Sequence, residues 1–523
     1  MWHRLFRRTI GMKNQLVVRL WLQNLRFHTV RKNKKVREGE LLEIERNGTY
    51  TCKIVGINTE ETDYLGTLTV DEEYTIRIEV KEVERKCFDE IKDVPYVNIV
   101  ANWEGKYLSI ADCQLTEKEF RGGPNNTKIY LKYISSLLLV DYLWNPAQRI
   151  QFSGFSCSIT EITELLGKYP YEIDYDQLLF PNVECNVKGN VVSKKVGHGF
   201  SYFVVPSITY ETDGMHVSMY GKIQYSGGRE QSVNELREVL QKICLFFEIL
   251  SGEIITVNEI VFQQDNNYVK AVGFCNFPKS TLSGLQSSFD TRQYLRKSIF
   301  KVTDFGNDIG KAIAIFYEIQ SECMLACEAY KQILLDEEIK ISTYNKFLKV
   351  MQVVEGFQRA KIDERENLEF QQKKNSILEK LNDEEDKAFL KKYTNYNGQS
   401  FRKCMNELTI NSLQVISGLT KGQARKNSDG IIDAIINDRD VYTHASKEEK
   451  PRLSIDKLQA VNYCYKTFFR VMVLRKMGLT EKLIRNRLLF DRKFVAFYQM
   501  LFGLKILKED SYTDTGDFDN LMW

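Results

Sequence analysis

The chain has 523 residues, 43% of them hydrophobic, and its 73 basic and 70 acidic residues give a net charge of +3. This length and apolar content indicate a globular protein of two or three domains. The near balance of charge excludes a general polyanion binder, so any nucleic-acid site must be a local basic patch.

The cysteines and the apolar runs indicate the compartment of the protein and argue against metal sites and membrane segments. Eleven cysteines are scattered without a Cys-x-x-Cys pair or a nearby histidine, which indicates free thiols in a reducing compartment. Cys323 and Cys327 lie one helical turn apart, a spacing more typical of packing than of metal ligation. The longest apolar runs are interrupted and too short to span a bilayer. We therefore expect a cytoplasmic protein without a cofactor, a bound metal or a membrane segment.

Residues 1–37 are predicted to form a basic arm. No acidic residue precedes Glu38, whereas eleven Arg and Lys residues do. A solvated tail, an extra strand, a contact to RNA phosphates and an amphipathic targeting segment all fit this composition. Met12 is an alternative start of the chain.

Residues 38–285 are predicted to form a β-rich module. Apolar and polar residues alternate strictly over residues 74–80, as in a strand with one buried face, and similar runs follow to residue 223. This pattern predicts a sandwich or a distorted barrel and leaves the strand order open. Ser232 and Glu235 form a capping-box pattern that begins a helix ending at Gly252. Strand-like alternation returns over residues 253–275, and residues 279–288 are the predicted linker.

Residues 286–510 are predicted to form an all-α bundle, followed by an acidic tail over residues 511–523. Apolar residues from Phe347 to Phe357 recur at helical spacing, and Glu355 projects beside that face. The charged residues 361–400 predict a solvated helical hairpin. We expect later helices to begin at Ser428 and Ser454, the second ending at Gly478.

An arginine and a histidine lie at the end of the helix predicted from Ser428. Arg439 and His444 are separated by four residues and follow the apolar run over residues 431–436. Arginine stays charged and can donate two hydrogen bonds to one phosphate, whereas histidine titrates near neutrality, with a pKa of about 6.5. The pair therefore suits phosphodiester chemistry without a metal. The alternative is a histidine that interacts with the last carbonyls of a helix.

These residues resemble the HEPN superfamily of helical bundles, whose ribonuclease members carry an Arg, a polar residue, a few variable residues and a His. Here those residues are Arg439, Asp440 and His444. The resemblance to ApeA-like proteins covers about residues 340–505, through the helices at 344–359 and 458–479. The β-rich half is similar to the ApeA N-terminal domain through residues 66–68, 152–155 and 240–252.

The resemblance implies a metal-independent endoribonuclease of prokaryotic anti-phage defence by abortive infection, in which the RNA 2′-hydroxyl attacks the adjacent phosphate. His444 would act as general base or acid, and Arg439 would stabilise charge on the non-bridging oxygens. Asp440 would orient one of them, and Glu355 would pair with Arg439 or only with Arg359. The family implies a homodimer with two motifs in one cleft, RNA as substrate, with transfer RNA one candidate, and a phage-derived trigger sensed by the N-terminal module.

Two other interpretations stay open. The first is a non-catalytic HEPN scaffold or RNA-binding module, in which Arg439 and His444 stabilise the fold. The second is a ligand-sensing β domain with a helical dimerisation bundle, whose site would use Trp103, Tyr107 or Trp144, although core packing is the commoner role of such aromatics. The sequence lacks phosphate-binding glycine loops, zinc-spaced ligands and nucleophile elbows. It therefore gives no support to the enzyme classes that these motifs mark.

Overall fold

The computed structural model describes residues 44, 48–58, 60–71, 75–122, 127–135, 137–143, 150–159, 162–167, 172–174, 182–184, 192–211, 214–255, 257–264, 267–272, 300–338, 341–360, 364–393, 400–444 and 450–507. The predicted basic arm over residues 1–37, the linker over residues 279–288 and the acidic tail over residues 511–523 lie outside these residues.

Six strands close into an antiparallel barrel: β1 (Gly48–Ile57), β2 (Glu60–Val70), β3 (Ile76–Val83), β4 (Val97–Trp103), β5 (Lys106–Arg121) and β6 (Lys128–Ser135). They pair in the order β5-β4-β1-β2-β3-β6, and β6 pairs again with β5 to complete the ring. Apolar side chains that alternate with polar ones along the strands fill the interior of the barrel. On β3 the buried residues are Ile76, Ile78, Val80 and Val83. Helix α1 (Arg85–Ile91) joins β3 to β4. The predicted barrel is confirmed for this part of the module.

Seven further strands continue from the barrel as an open sheet: β7 (Leu137–Val140), β8 (Gln151–Ile159), β11 (Val192–Gly197), β12 (Phe200–Glu211), β13 (Gly214–Ser232), β14 (Val257–Gln264) and β15 (Asn267–Val272). Their order is β11-β12-β13-β8-β14-β15-β7. The sheet joins the barrel through β5, which pairs with β7 over residues 108–111 and with β6 over residues 114–121. Helix α2 (Ile162–Leu166) and a hairpin of β9 (Glu172–Asp174) and β10 (Asn182–Glu184) lie between β8 and β11.

Helix α3 (Val233–Ser251) packs on the open sheet. Its predicted capping box is present, since the Ser232 hydroxyl accepts the N–H of Glu235 while the Glu235 carboxylate accepts the N–H of Ser232. The helix ends at Gly252, whose φ of +77° is the left-handed conformation that glycine adopts without strain. Both predicted ends of this helix are confirmed.

The C-terminal half is helical after a 3₁₀ turn (Val302–Asp308): α4 (Ile309–Glu322), α5 (Met324–Glu338), α6 (Thr343–Arg359), α7 (Glu364–Lys380), α8 (Glu384–Tyr393), α9 (Phe401–Ser417), α10 (Lys421–His444), α11 (Ile455–Lys476), α12 (Glu481–Leu488) and α13 (Arg492–Phe502). Ser454 caps α11 as predicted, and α7 and α8 lie in the charged segment for which a helical hairpin was predicted. Among the described residues, no helix is long and apolar enough to cross a membrane.

The predicted helix start at Ser428 is wrong. Helix α10 begins seven residues earlier, because Thr420 and Gln423 bond reciprocally and cap it there. Ser428 lies buried in the helix interior, where its hydroxyl donates to the carbonyl oxygen of Arg425. A serine in mid-helix satisfies itself by such back-bonding, so its presence does not mark a helix end.

One apolar core extends from the open sheet into the helical half. It contains Phe155 and Phe262 of the sheet, Phe246 of α3 and Phe316 of α4, and the last two rings lie 5.6 Å apart. The same core continues to Phe469 of α11. The open sheet is therefore packed together with the bundle that holds the Arg/His motif.

Candidate active site

Three helices position the predicted site residues. Glu355 lies near the C-terminal end of α6, Phe401 opens α9, and Arg439, Asp440 and His444 occupy the last turns of α10. Helix α6 is held by a largely apolar inner face, on which Phe347, Val350, Met351, Val354 and Phe357 are buried as their spacing predicts. Because α6, α9 and α10 pack against one another, side chains distant in sequence converge beside this face.

The Arg439 guanidinium has three neighbours in the described residues. Its Nη1 donates to Asp440 Oδ1 at 3.1 Å, and its Nη2 lies 3.8 Å from Glu355 Oε2. Its Cζ lies 4.9 Å from the centre of the Phe401 ring, a cation–π contact. The side chain remains 29% exposed. The guanidinium is thus oriented by protein groups and still open to a ligand.

Glu355 is shared between two arginines. Its Oε1 lies 2.6 Å from Nη2 of Arg359, one helical turn later, while its Oε2 faces Arg439. The ion pair with Arg359 and the approach to Arg439, posed as alternatives in the sequence, therefore occur together. The Glu355 side chain is 19% exposed, so this charge cluster is shielded from water more than a surface ion pair is.

A cysteine borders the same cluster. Burial raises the pKa of the Cys404 thiol, and Glu355 and Glu407 add to this effect while Arg359 opposes it. The thiol therefore stays protonated near neutral pH, which makes it a poor nucleophile. Cys404 is one of nine cysteines in the described residues, and all nine are buried and outside any disulfide.

His444 is the last residue of α10, and its side chain lies outside the described residues. On a regular helix it stands about 140° around the axis and about 7.5 Å along it from Arg439. Asp440 precedes His444 by four residues and so shares its helix face by position. Asp440 thus lies between the two, bonded to Arg439 and one turn from the histidine.

Asp438 is a structural residue of the site that the sequence analysis missed. It is fully buried, and its carboxylate accepts the backbone N–H groups of Arg452, at 2.6 Å, and of Leu453, at 3.1 Å. These bonds tie the start of the following segment to α10, one residue before Arg439. A sequence signal existed, because Asp438 follows Ile432 and Ile435 on the buried stripe of the helix, where a carboxylate needs partners.

Two further histidines and the aromatic residues named for the alternative site belong to the β-rich half of the chain. His198 is in the turn before β12, with its ring 5.8 Å from that of Tyr317, and the side chain of His216 on β13 lies outside the described residues. Trp103 packs on Tyr50 with ring centres 4.7 Å apart, and Tyr107 is 38% exposed. Trp144 also lies outside the described residues. Within the described part of the chain, no group of three His, Cys, Asp or Glu residues is placed to hold a metal.

Comparison with known families divides the chain in two. Residues 45–314, more than half of its length, match the family described as ApeA N-terminal domain 1. Residues 348–483 match the family described as Apea-like HEPN. The second match contains all four predicted site residues, from Glu355 on α6 to His444 at the end of α10. No curated protein and no solved structure matches the chain.

Proposed function

The chain belongs to the ApeA family of HEPN defence proteins, and we propose that it is a metal-independent endoribonuclease whose activity depends on Arg439 and His444. The observation that supports this most is the Arg439 guanidinium, which Phe401, Asp440 and Glu355 orient while 29% of its side chain stays accessible. A preorganised cation of this kind stabilises charge that develops on a phosphate, because it needs no reorientation during the reaction.

The proposed reaction is an internal transfer. The 2′-hydroxyl of RNA loses its proton to His444 and bonds to the adjacent phosphorus, the bond from phosphorus to the 5′-oxygen breaks, and that oxygen takes up a proton. The products are a 2′,3′-cyclic phosphate and a 5′-hydroxyl. Arg439 would bind the non-bridging oxygens, and Asp440, already bonded to Arg439, would orient the guanidinium.

One histidine cannot accept and donate a proton in the same step. We therefore propose a homodimer through the helical domain, in which the histidine of the second copy protonates the leaving 5′-oxygen. Two-fold symmetry brings two copies of one motif to a common axis, and it is the commonest symmetry among soluble oligomers. Loss of the dimer should then abolish cleavage even with both motifs intact.

Residues 38–285 are proposed as the sensor of a phage-derived trigger, and residues 286–510 as the cytoplasmic nuclease, with transfer RNA loops one candidate substrate. The core shared by the open sheet and the bundle supports an effect of such a sensor on the helical domain. A change in the packing of α3 would reach the helices that carry the motif. Activity would be low but measurable when that packing is intact, and it would increase when the trigger alters the packing.

The test compares wild-type protein with His444→Ala and Arg439→Ala on total cellular RNA in the presence of a chelator. Sequencing that captures cyclic-phosphate ends should find discrete cuts for the wild type, and each variant should lose them at least about 100-fold. Arg475→Ala is the matched control, because Arg475 also forms an ion pair, 2.9 Å from Glu481, in an exposed position on α11. Cuts by a folded His444→Ala variant that equal those of the wild type would refute the proposal.

The engagement of Arg439 by two carboxylates also favours a second candidate, a non-catalytic RNA-binding or scaffold module. In that case Arg439 is a structural cation, and His444→Ala lowers the melting temperature without changing any RNA. Wild-type protein that binds RNA but cuts none, in infected as well as uninfected cells, would select this candidate.

A further inference from the structure

Two tyrosines lie together on the surface beside the motif. Tyr442 belongs to α10, between Arg439 and His444, and its ring centre lies 4.9 Å from that of Tyr344, in the first turn of α6, with 53° between the planes. Tyr344 is 41% exposed, whereas Tyr442 is half-buried. Tyr344 differs from other exposed rings of the chain in its position, because it packs on Tyr442, which lies on the same helix as Arg439 and His444.

Neighbouring residues hold this pair in place. Tyr442 packs its ring against the edge of Phe347, which is fully buried, with centres 6.0 Å apart. The start of α6 is fixed by Ser342, whose hydroxyl accepts the N–H of Asn345, and by Asn462 of α11, whose Nδ2 donates to the carbonyl of Thr343 at 3.0 Å. Tyr344 is therefore already ordered before a ligand binds, so little conformational entropy of the protein is lost on binding.

A cation near the pair can attract a polyanion. Tyr442 itself is uncharged at neutral pH, as is usual for tyrosine, and burial raises its pKa further, to about 12. The nearby Asp438 carboxylate is occupied by two backbone N–H groups. Arg439 supplies a cation three residues from Tyr442. Exposed aromatic rings next to a cation are the means by which proteins bind single-stranded nucleic acid.

We propose that Tyr344, supported by Tyr442, is a stacking platform for an unpaired nucleobase of the RNA substrate. This inference rests on the proposed function and specifies its substrate class: RNA with an unstacked base near the cut. Tyr344 and Glu355 are eleven residues apart on α6, about 16 Å along the axis, and Glu355 lies beside Arg439. The stacked base therefore belongs to a nucleotide a few positions away from the scissile phosphate, and not to the nucleotide that is cut. A base inside a duplex cannot reach the ring, so loops are selected over helices.

The first experiment measures binding without cleavage. Full-length protein is titrated into a short 2′-deoxy oligonucleotide that contains the fluorescent base 2-aminopurine, either single-stranded or in a duplex. Wild-type protein should quench the single-stranded probe by stacking and leave the duplex unaffected. Tyr344→Leu should weaken binding about 10-fold and abolish the quenching, whereas Tyr344→Phe, which keeps the ring, should retain both.

Tyr268→Leu is the control, because Tyr268 is 68% exposed on β15 and lies outside the helical domain. The second experiment measures kcat/KM and cut positions on RNA for the same four proteins. Tyr344→Leu should lower kcat/KM about 10-fold and relax the preference for unpaired positions. Light scattering of each variant tests whether a second copy of the chain, rather than a base, covers Tyr344.

The outcomes separate this inference from the proposed function. If RNA is cut and Tyr344→Leu matches the wild type in binding, rate and cut positions, the platform is refuted and the nuclease stands. Quenching without any cleavage, in infected as well as uninfected cells, refutes the nuclease and supports the platform. A Tyr344→Leu variant that loses its dimer identifies the ring as an interface residue and overturns the platform. A wild type that leaves the single-stranded probe unquenched refutes the platform, whether or not it cuts RNA.

Discussion

The barrel and the open sheet consist of similar antiparallel strands but are stabilised in different ways. The barrel closes on itself, and its interior is filled by its own side chains, such as Ile54, Leu68 and Ile78. The open sheet instead needs α3 to cover its apolar face, and this core continues into the bundle. A closed barrel can change its outer surface without disturbing the helices, whereas a change in the open sheet is transmitted to them.

Helix α3 links the open sheet to the bundle by hydrogen bonds as well as by packing. The carbonyl oxygens of Ile249 and Leu250 accept from Nε and Nη2 of Arg470 on α11, at 2.9 and 2.7 Å. The hydroxyl of Tyr330 on α5 donates to the carbonyl oxygen of Glu248 at 3.3 Å. The Glu248 oxygen also accepts the N–H of Gly252, whereas helix-end carbonyls such as those of Ile249 and Leu250 need partners from outside, which the helical domain supplies. No such link is needed by the barrel strands, which bond to one another.

Removal of the Arg470 side chain should therefore produce the largest difference in stability between the open sheet and the barrel. Arg470→Leu leaves two buried carbonyls without their donor, at a cost of about 4 kcal/mol in the free energy of unfolding. Hydrogen exchange should accelerate in α3, the open sheet and α11, while the amides of β3 in the barrel keep their protection. Arg470→Lys, which restores one donor, should recover part of the loss. Equal loss of protection in β3 would show that barrel and bundle unfold as one unit.

A pH titration should distinguish the regions next. Burial raises the pKa of Glu248 to about 7, opposed by Lys331 and by the N–H of Ile255. The folded state therefore holds this proton more tightly than the unfolded state, where the pKa is about 4.3. The stabilisation is complete below about pH 4.3 and is lost as the pH rises through about 7, to a total of roughly 4 kcal/mol.

Denaturant unfolding between pH 5 and pH 8.5 measures this effect. Glu248→Gln should flatten the pH dependence, because an amide does not titrate, and the difference should appear in the exchange of α3 amides and not in those of the barrel. An unchanged slope in this variant would assign the pH dependence to another group.

The smallest expected effect comes from a matched pair of core substitutions. Ile78 of the barrel and Ile260 of the open sheet are both buried, so Ile78→Val and Ile260→Val should each cost about 1 kcal/mol. Only Ile260→Val should also lower the protection of α3 and change the rate of RNA cleavage. If the proposed RNA cleavage responds equally to Ile78→Val, the barrel is coupled to the helical domain as well.

Sequence patterns predicted the elements whose determinants lie within a few residues of one another. The ends of α3, the cap of α11 and the buried face of α6 were read correctly, because capping boxes and helical periodicity act over three or four positions. Ser428 was misread because the local pattern around a serine fits two different structures. Its hydroxyl can cap a helix or bond back to its own helix, and the cap at Thr420 decided which.

The sequence by itself determined the two kinds of secondary structure, the helix that ends in the Arg/His motif and the residues that resemble the family. Only the tertiary structure decided that the strands divide into a barrel and an open sheet, that Glu355 bridges two arginines and that Tyr344 meets Tyr442. It also brought Arg470 to Ile249, 221 positions away. Such contacts depend on how the elements pack, and no local pattern encodes the partner of a side chain that lies on another element.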